Sequence, residues 1–191
     1  MKKGKIILFF GISGVGKTYF KNLLIQQFRL KPIDKVTTRE KRNSKKEKIK
    51  HISKDKFKSM IKNNDFFIYT KIYDEYYGYK KEDVKQLNKG ISLVGDCYYK
   101  LIVDLRKLLG DDLIAICIQP EKLEDAIKLI KEQRNDYEKR IIDAKKEYRY
   151  LENNKQHMDY YIYTKYNNET DNEIISLVSK YIQNNKEESK C

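Results

Sequence analysis

Cysteine occurs three times in this 191-residue chain, proline twice and glycine eight times, and alanine and arginine are also scarce. Cys97, Cys117 and Cys191 are widely spaced, odd in number and without a metal-ligand pattern, which excludes a disulfide framework or a zinc cluster. Such usage fits a reducing cytoplasm, with Cys97 and Cys117 as core thiols. No apolar run approaches the ~18 residues of a membrane-crossing helix. The opening Met1-Lys2-Lys3-Gly4 precedes only six apolar residues, too short for the apolar region of a signal peptide.

Positive charge, by contrast, is plentiful: the formal net charge is +13. A nucleic-acid face is one explanation. The excess, however, is lysine spread along the whole chain. Lysine, isoleucine, asparagine and tyrosine are abundant together while alanine, glycine and proline are rare, the skew that an A+T-rich coding sequence produces. The charge therefore argues weakly for nucleic acid, although a basic surface attracts any anionic nucleotide.

Strand and helix signals alternate throughout. Apolar runs at 5–10, 91–94, 113–118 and 160–163 read as buried strands, and helical spacing appears at 19–25, 54–61, 82–87, 99–109, 123–151 and 173–182. The long helical stretch is interrupted near Arg134-Asn135-Asp136. Four buried strands separated by helices imply an α/β fold, a three-layer α/β/α arrangement on a central parallel sheet. Residues 34–79 are less regular: short strand signals at 34–38 and 65–73 flank a basic, structureless stretch over 39–50. This segment reads as an insertion with mixed strands, folded over the site. The length suits one domain over 1–183, with a core of 1–33, 80–130 and 142–183, a lid at 131–141 and a disordered polar tail at 184–191.

Gly11-Ile12-Ser13-Gly14-Val15-Gly16-Lys17-Thr18 matches G-x-x-x-x-G-K-[ST], the loop that cradles nucleotide phosphates. Glycines let successive backbone N–H groups turn around an anion, and the helix that follows adds its positive end. Lys17 is placed to reach β- and γ-phosphates and the Thr18 hydroxyl to sit on Mg²⁺. ATP and Mg²⁺ are the expected ligands, and Gly11, Ser13, Gly14, Val15, Gly16, Lys17 and Thr18 their site.

Further features point to transfer between two phosphorylated molecules. Arg39 and Arg42 in a non-helical loop can fork onto one phosphate, or form a solvated basic loop. Tyr76 or Tyr77, before Gly78, offers a hydroxyl to an anion, or packs in a core. Arg134 and Arg140 flank a helix break over the phosphate site and can neutralise a transferring group; Arg140 can instead pair with Glu138 or Glu147. Asp96 ends a buried strand, where its carboxylate can hold a Mg²⁺-bound water or cap the next helix.

On these residues the chain resembles the guanylate kinases over nearly its whole length. The resemblance rests on Gly11 to Thr18, Thr37-Thr38-Arg39-Glu40-Lys41-Arg42, Lys56-Phe57-Lys58-Ser59-Met60-Ile61-Lys62-Asn63-Asn64, Tyr76-Tyr77-Gly78, Gly90 to Asp96, Arg134 and Arg140. It implies a cytoplasmic kinase, a monomer or homodimer, that closes an acceptor-binding insertion and a lid around ATP·Mg²⁺ and a nucleoside monophosphate. By the resemblance Lys17 and Thr18 hold the ATP phosphates and metal. Arg39, Arg42 and Tyr77 hold the acceptor with Asp96, and Lys17, Arg134 and Arg140 are catalytic. Four positions depart from the family pattern: Ile49 replaces a Tyr for the acceptor phosphate, Ile68 a guanine-reading Glu, Tyr79 a Ser or Thr, and Tyr98 the second Asp of an Asp-x-Asp pair. Ribose 1,5-bisphosphate phosphokinases resemble guanylate kinases without the guanine readers and give an alternative acceptor. Guanylate-kinase-like modules that bind phosphorylated protein segments give a non-catalytic one, although such modules typically lack the phosphate loop kept here. An end kinase acting on nucleic acid rests on the net charge alone.

Overall fold

Five consecutive apolar residues can be buried on both sides only inside a parallel sheet, and Ile6–Phe10 (β1) is such a strand, with every residue buried. The computed structural model describes residues 3–41, 49–133, 137–164 and 168–187. From β1 the chain enters the glycine loop and then helix α1, Lys17–Phe28. A two-residue strand, Lys31–Pro32 (β2), follows at the sheet edge, where a missing N–H does no harm. Next come Lys35–Thr37 (β3), Lys50–His51 (β4), helix Lys54–Lys62 (α2), Phe66–Ile72 (β5) and Glu75–Lys80 (β6). The short helix Lys81–Val84 (α3) leads by a 3₁₀ segment to Leu93–Asp96 (β7). Helix Ile102–Leu109 (α4), strand Leu113–Pro120 (β8), helices Leu123–Gln133 (α5) and Tyr137–Glu152 (α6), strand Tyr160–Thr164 (β9) and helix Asn168–Glu187 (α7) complete it.

Two sheets result. The larger has the order β2-β7-β1-β8-β9 and is parallel throughout. Its register sets Phe9 beside Asp96 and Phe10 beside Cys117, so the phosphate loop and Asp96 leave the sheet at the same carboxyl edge. The two faces of β1 feed separate core layers: Ile6, Leu8 and Phe10 pack with Ile102 and Leu105 of α4, and Ile7 and Phe9 with Phe20 and Leu24 of α1 and Val178 of α7. This is the three-layer α/β/α arrangement expected from the alternating signals.

The smaller sheet has the order β4-β3-β6-β5, with β3 parallel to β4 and the other pairs antiparallel. Strand β4 begins at Lys50, the last residue of the stretch expected to be structureless. Its own core is small: Phe57 of α2 is fully buried and stacks on Phe66 at 4.3 Å and on Tyr76 at 5.2 Å. Gly78 is required here, since a Cβ on it would stand 2.7 Å from the Phe66 ring. Helix α2 starts where Ser53 accepts the Lys56 N–H at 3.2 Å, with Asp55 in its first turn.

At the end of the chain α7 runs to Glu187, beyond the expected boundary at 182 and into the segment expected to be disordered. Residues 183–187 contain neither glycine nor proline to stop a helix. Residues 188–191 of that expected tail, and the break at Arg134-Asn135-Asp136, lie outside the described residues.

Because Phe57 is fully buried and stacks on both Phe66 and Tyr76, Phe57→Ala is expected to destabilise the protein by about 3 kcal/mol. Urea denaturation measures this, and a loss below about 1 kcal/mol would show that the small sheet owes little to that stack.

Candidate functional site

Between the phosphate loop, the small sheet and α6 lies a cleft of about 510 Å³. The loop forms its floor. Gly11, Gly14 and Gly16 have φ of 138°, 93° and 93°, left-handed values that side chains resist. A Cβ on Gly11 would also collide with the Ile118 carbonyl of β8. Between them Ile12 and Val15 are buried in the core, and neither lines the cleft. Helix α1 begins at Gly16 with no side-chain cap and no acidic residue in its first turn, which leaves its N–H groups and positive end to an anion. The Lys17 ammonium donates to the carbonyls of Gly11 and, at 2.8 Å, of Ile12.

Six expected side chains join Lys17 around this one cleft: Ser13, Thr18, Arg39, Tyr77, Asp96 and Arg140. Strand alternation decides between the paired tyrosines, sending Tyr76 into the small core and Tyr77 to the cleft. Arg39 is held by its backbone. Its N–H donates to Thr37 Oγ1 at 3.1 Å, and its carbonyl accepts from His51 Nδ1 at 2.6 Å. Arg140, on α6, reaches Ser13 Oγ at 3.4 Å, so a helix remote in sequence meets the phosphate loop. Arg42 and Arg134 lie outside the described residues.

Asp96 is not a helix cap. Lys35 Nζ donates to its Oδ2 at 2.9 Å, and Lys21 Nζ stands 3.7 Å from its Oδ1. Burial raises the Asp96 carboxyl, but Lys35, Lys21 and the hydrogen bond from Lys35 outweigh it and hold the group well below the carboxylate range. For Lys35, burial works against the charge and Asp96 overcomes it, leaving the ammonium above its ordinary value. Neither lysine stands out in the sequence. Lys21 has one faint signal, being one helical turn from Lys17 on the same face of α1.

The positions departing from the family pattern also line the cleft: Ile49, Ile68, Tyr79 and Tyr98. Tyr79 is buried and its hydroxyl donates to the Asp96 carbonyl. Cys97 lies beside it, with burial pushing its thiol up to about 12. Across the cleft Glu147 of α6 faces Lys17. Burial pushes its carboxyl up to about 7, with Asp143 adding to the rise and Lys17 opposing it. Above this mouth, Tyr73 at the β5–β6 turn donates to Asp143, and Lys139 Nζ stands 3.7 Å from the centre of its ring.

A cluster of three metal-ligating carboxylate, histidine or cysteine side chains does not occur among the described residues. Mg²⁺ fits this site as an ion carried mainly on phosphate oxygens, with the Thr18 hydroxyl beside it. Asp96, between two ammonium groups, could contribute only at a distance. Among the described residues no helix is long and apolar enough to cross a membrane.

Residues 3–185 match the family model described as guanylate kinase. A guanylate kinase of Mycoplasma genitalium is 30% identical over 190 residues, covering 94% of this chain and 78% of that protein. One from Bacteroides thetaiotaomicron is 35% identical over 127 residues, 64% of this chain and 62% of the relative. Among solved structures, guanylate kinase from Anaplasma phagocytophilum superposes with a TM-score of 0.74 over 95% of this chain and 87% of that one, at 18% identity, a likeness of fold.

The Glu147 carboxyl binds its proton more tightly in the fold than at its ordinary value of 4.5. Its stabilising contribution is therefore complete below that value and lost as pH rises through about 7. Glu147→Gln, neutral throughout, is expected to lose less stability than the parent between about pH 5 and pH 8. Urea denaturation at both pH values tests this, and identical pH dependence would place the carboxyl in its ordinary range.

Proposed function

The chain belongs to the guanylate kinase family, and on that basis we propose that it transfers the γ-phosphoryl group of ATP to a nucleoside monophosphate. GMP and dGMP are the reference acceptors, yielding GDP or dGDP and ADP. The observation that carries this reading is the placement of Lys17 and Thr18 on one side of a single cleft and Arg39 and Tyr77 on the other, with Arg140 reaching the loop. A donor phosphate and an acceptor phosphate would there face each other.

In this reading the phosphate loop and Lys17 hold the β- and γ-phosphates of ATP. Arg39, Arg42 and Tyr77, in the insertion over 34–79, hold the acceptor phosphate, and Asp96 stands between the two halves. Arg134 and Arg140, in the lid over 131–141, neutralise the charge on the group in flight. When bound, Mg²⁺ draws electron density from the phosphate oxygens beside Thr18. No general base is required, because the attacking acceptor oxygen is already anionic near neutral pH. The chain's contribution is positioning, charge neutralisation and exclusion of water.

ADP release from ATP·Mg²⁺ with GMP or dGMP tests the activity. Lys17→Ala is expected to lower kcat by at least about 100-fold while the circular dichroism spectrum stays unchanged. An undiminished rate would remove Lys17 from the phosphate site. Arg39→Ala is expected to raise the acceptor KM by about 10-fold and to leave the KM for ATP in place. A selective rise for ATP would reverse the assignment of the two halves.

A further inference from the structure

Lys35 stands in the wall of the cleft on the side of the small sheet. It leaves β3 opposite Tyr79 of β6, and its Nζ stands 5.9 Å from the centre of the Tyr79 ring. Only 19% of its side chain is exposed. Around it Ile33, Ile68 and Leu101 accept no hydrogen bond. An ammonium carries three donors, and the one hydrogen bond found for it among the described residues is with Asp96 Oδ2. Asp96 in turn lies between Lys35 and Lys21, with one ammonium beside each oxygen. The Tyr79 hydroxyl is donated to the Asp96 carbonyl, and Thr70, Tyr77 and Tyr98 are hydroxyls able to donate as well as accept, while the other carboxyl of the cleft, Glu147, faces Lys17. This wall therefore has a surplus of donors.

Guanine shows an amino group and a ring N–H that need acceptors, and such donors would meet an ammonium here. We propose that Lys35 determines acceptor specificity by donating to an oxygen at the end of the acceptor remote from the reacting phosphate. It thus favours a keto edge without an adjacent amino group. The inference rests on the assignment of the small-sheet side of the cleft to the acceptor. A charged donor in a mostly buried wall discriminates because a ligand without a matching oxygen leaves its remaining N–H groups unsatisfied. A keto base and a second phosphate both supply such an oxygen.

Titration calorimetry of the full chain distinguishes these cases, using GMP, IMP, UMP and ribose 1,5-bisphosphate. GMP and IMP differ only in the amino group. The parent chain is expected to bind IMP at least as tightly as GMP. Lys35→Met is expected to weaken IMP by about 10- to 100-fold and GMP much less, while Lys35→Arg, which keeps charge and donors, preserves the order. Tightest binding of ribose 1,5-bisphosphate with the same dependence on Lys35 would assign the oxygen to a second phosphate and support the proposal. GMP bound at least tenfold better than IMP, or a ratio unmoved by Lys35→Met, overturns it, as does the failure of all four to bind. Binding with the expected order but without ADP release from ATP·Mg²⁺ would support the role of Lys35 and defeat the kinase reading alone.

Discussion

Strand β1 is buried along its whole length between β7 and β8, and that burial governs where polar chemistry can be placed. Its interior admits no charged side chain without a cost of several kcal/mol, on the order expected for an unpaired buried ion. The polar groups of the cleft therefore stand at the carboxyl edge, where the glycine loop follows Phe10 and Asp96 ends β7 beside Phe9. Burial in the sheet and reactivity at its rim are one arrangement. The Lys35–Asp96 pair then fastens the small sheet to that rim, joining positions 61 residues apart.

The local charge differs in kind from the general charge of the chain. Lys17, Lys21 and Lys35 act on a single carboxylate, Asp96, within the partly buried space of the cleft. Attraction in such a space is screened far less than between charges on an open surface. Scarcity of arginine turns out to be an imperfect guide to function. Arg39 and Arg140 do line the cleft, but Arg106 is structural: it donates to the carbonyls of Gly110, Leu113 and His157 and to Asp159.

Much of the fold was legible because its signals are local. Apolar runs identified β1, β8 and β9 and, two residues early, β7, and the glycine loop carried its own spacing. Tyr77 was half legible: the sequence offered two adjacent tyrosines, and only the pairing of β6 with β3 decided which faced the cleft. Lys35 was not legible, since one lysine among many reads as surface until strand register buries it. Glu147 was seen only as a neighbour of Arg140, because its raised carboxyl depends on helix packing. The helical end of α7 was misjudged because polar composition weighed more than the absence of a breaking residue.

The bridge from Tyr73 to α6 bears on timescale. It consists of one hydroxyl donated to Asp143 and one ammonium over a ring, on a tyrosine that is 56% exposed. Contacts of this kind contribute about 1 kcal/mol or less each, since water competes for every partner. None of the backbone hydrogen bonds of either sheet belongs to it. The mouth of the cleft can thus part at a small fraction of the free energy that keeps the sheets together, by side-chain rotations on the order of nanoseconds. Durability and rapid exchange with solvent consequently reside in separate sets of bonds within one small protein.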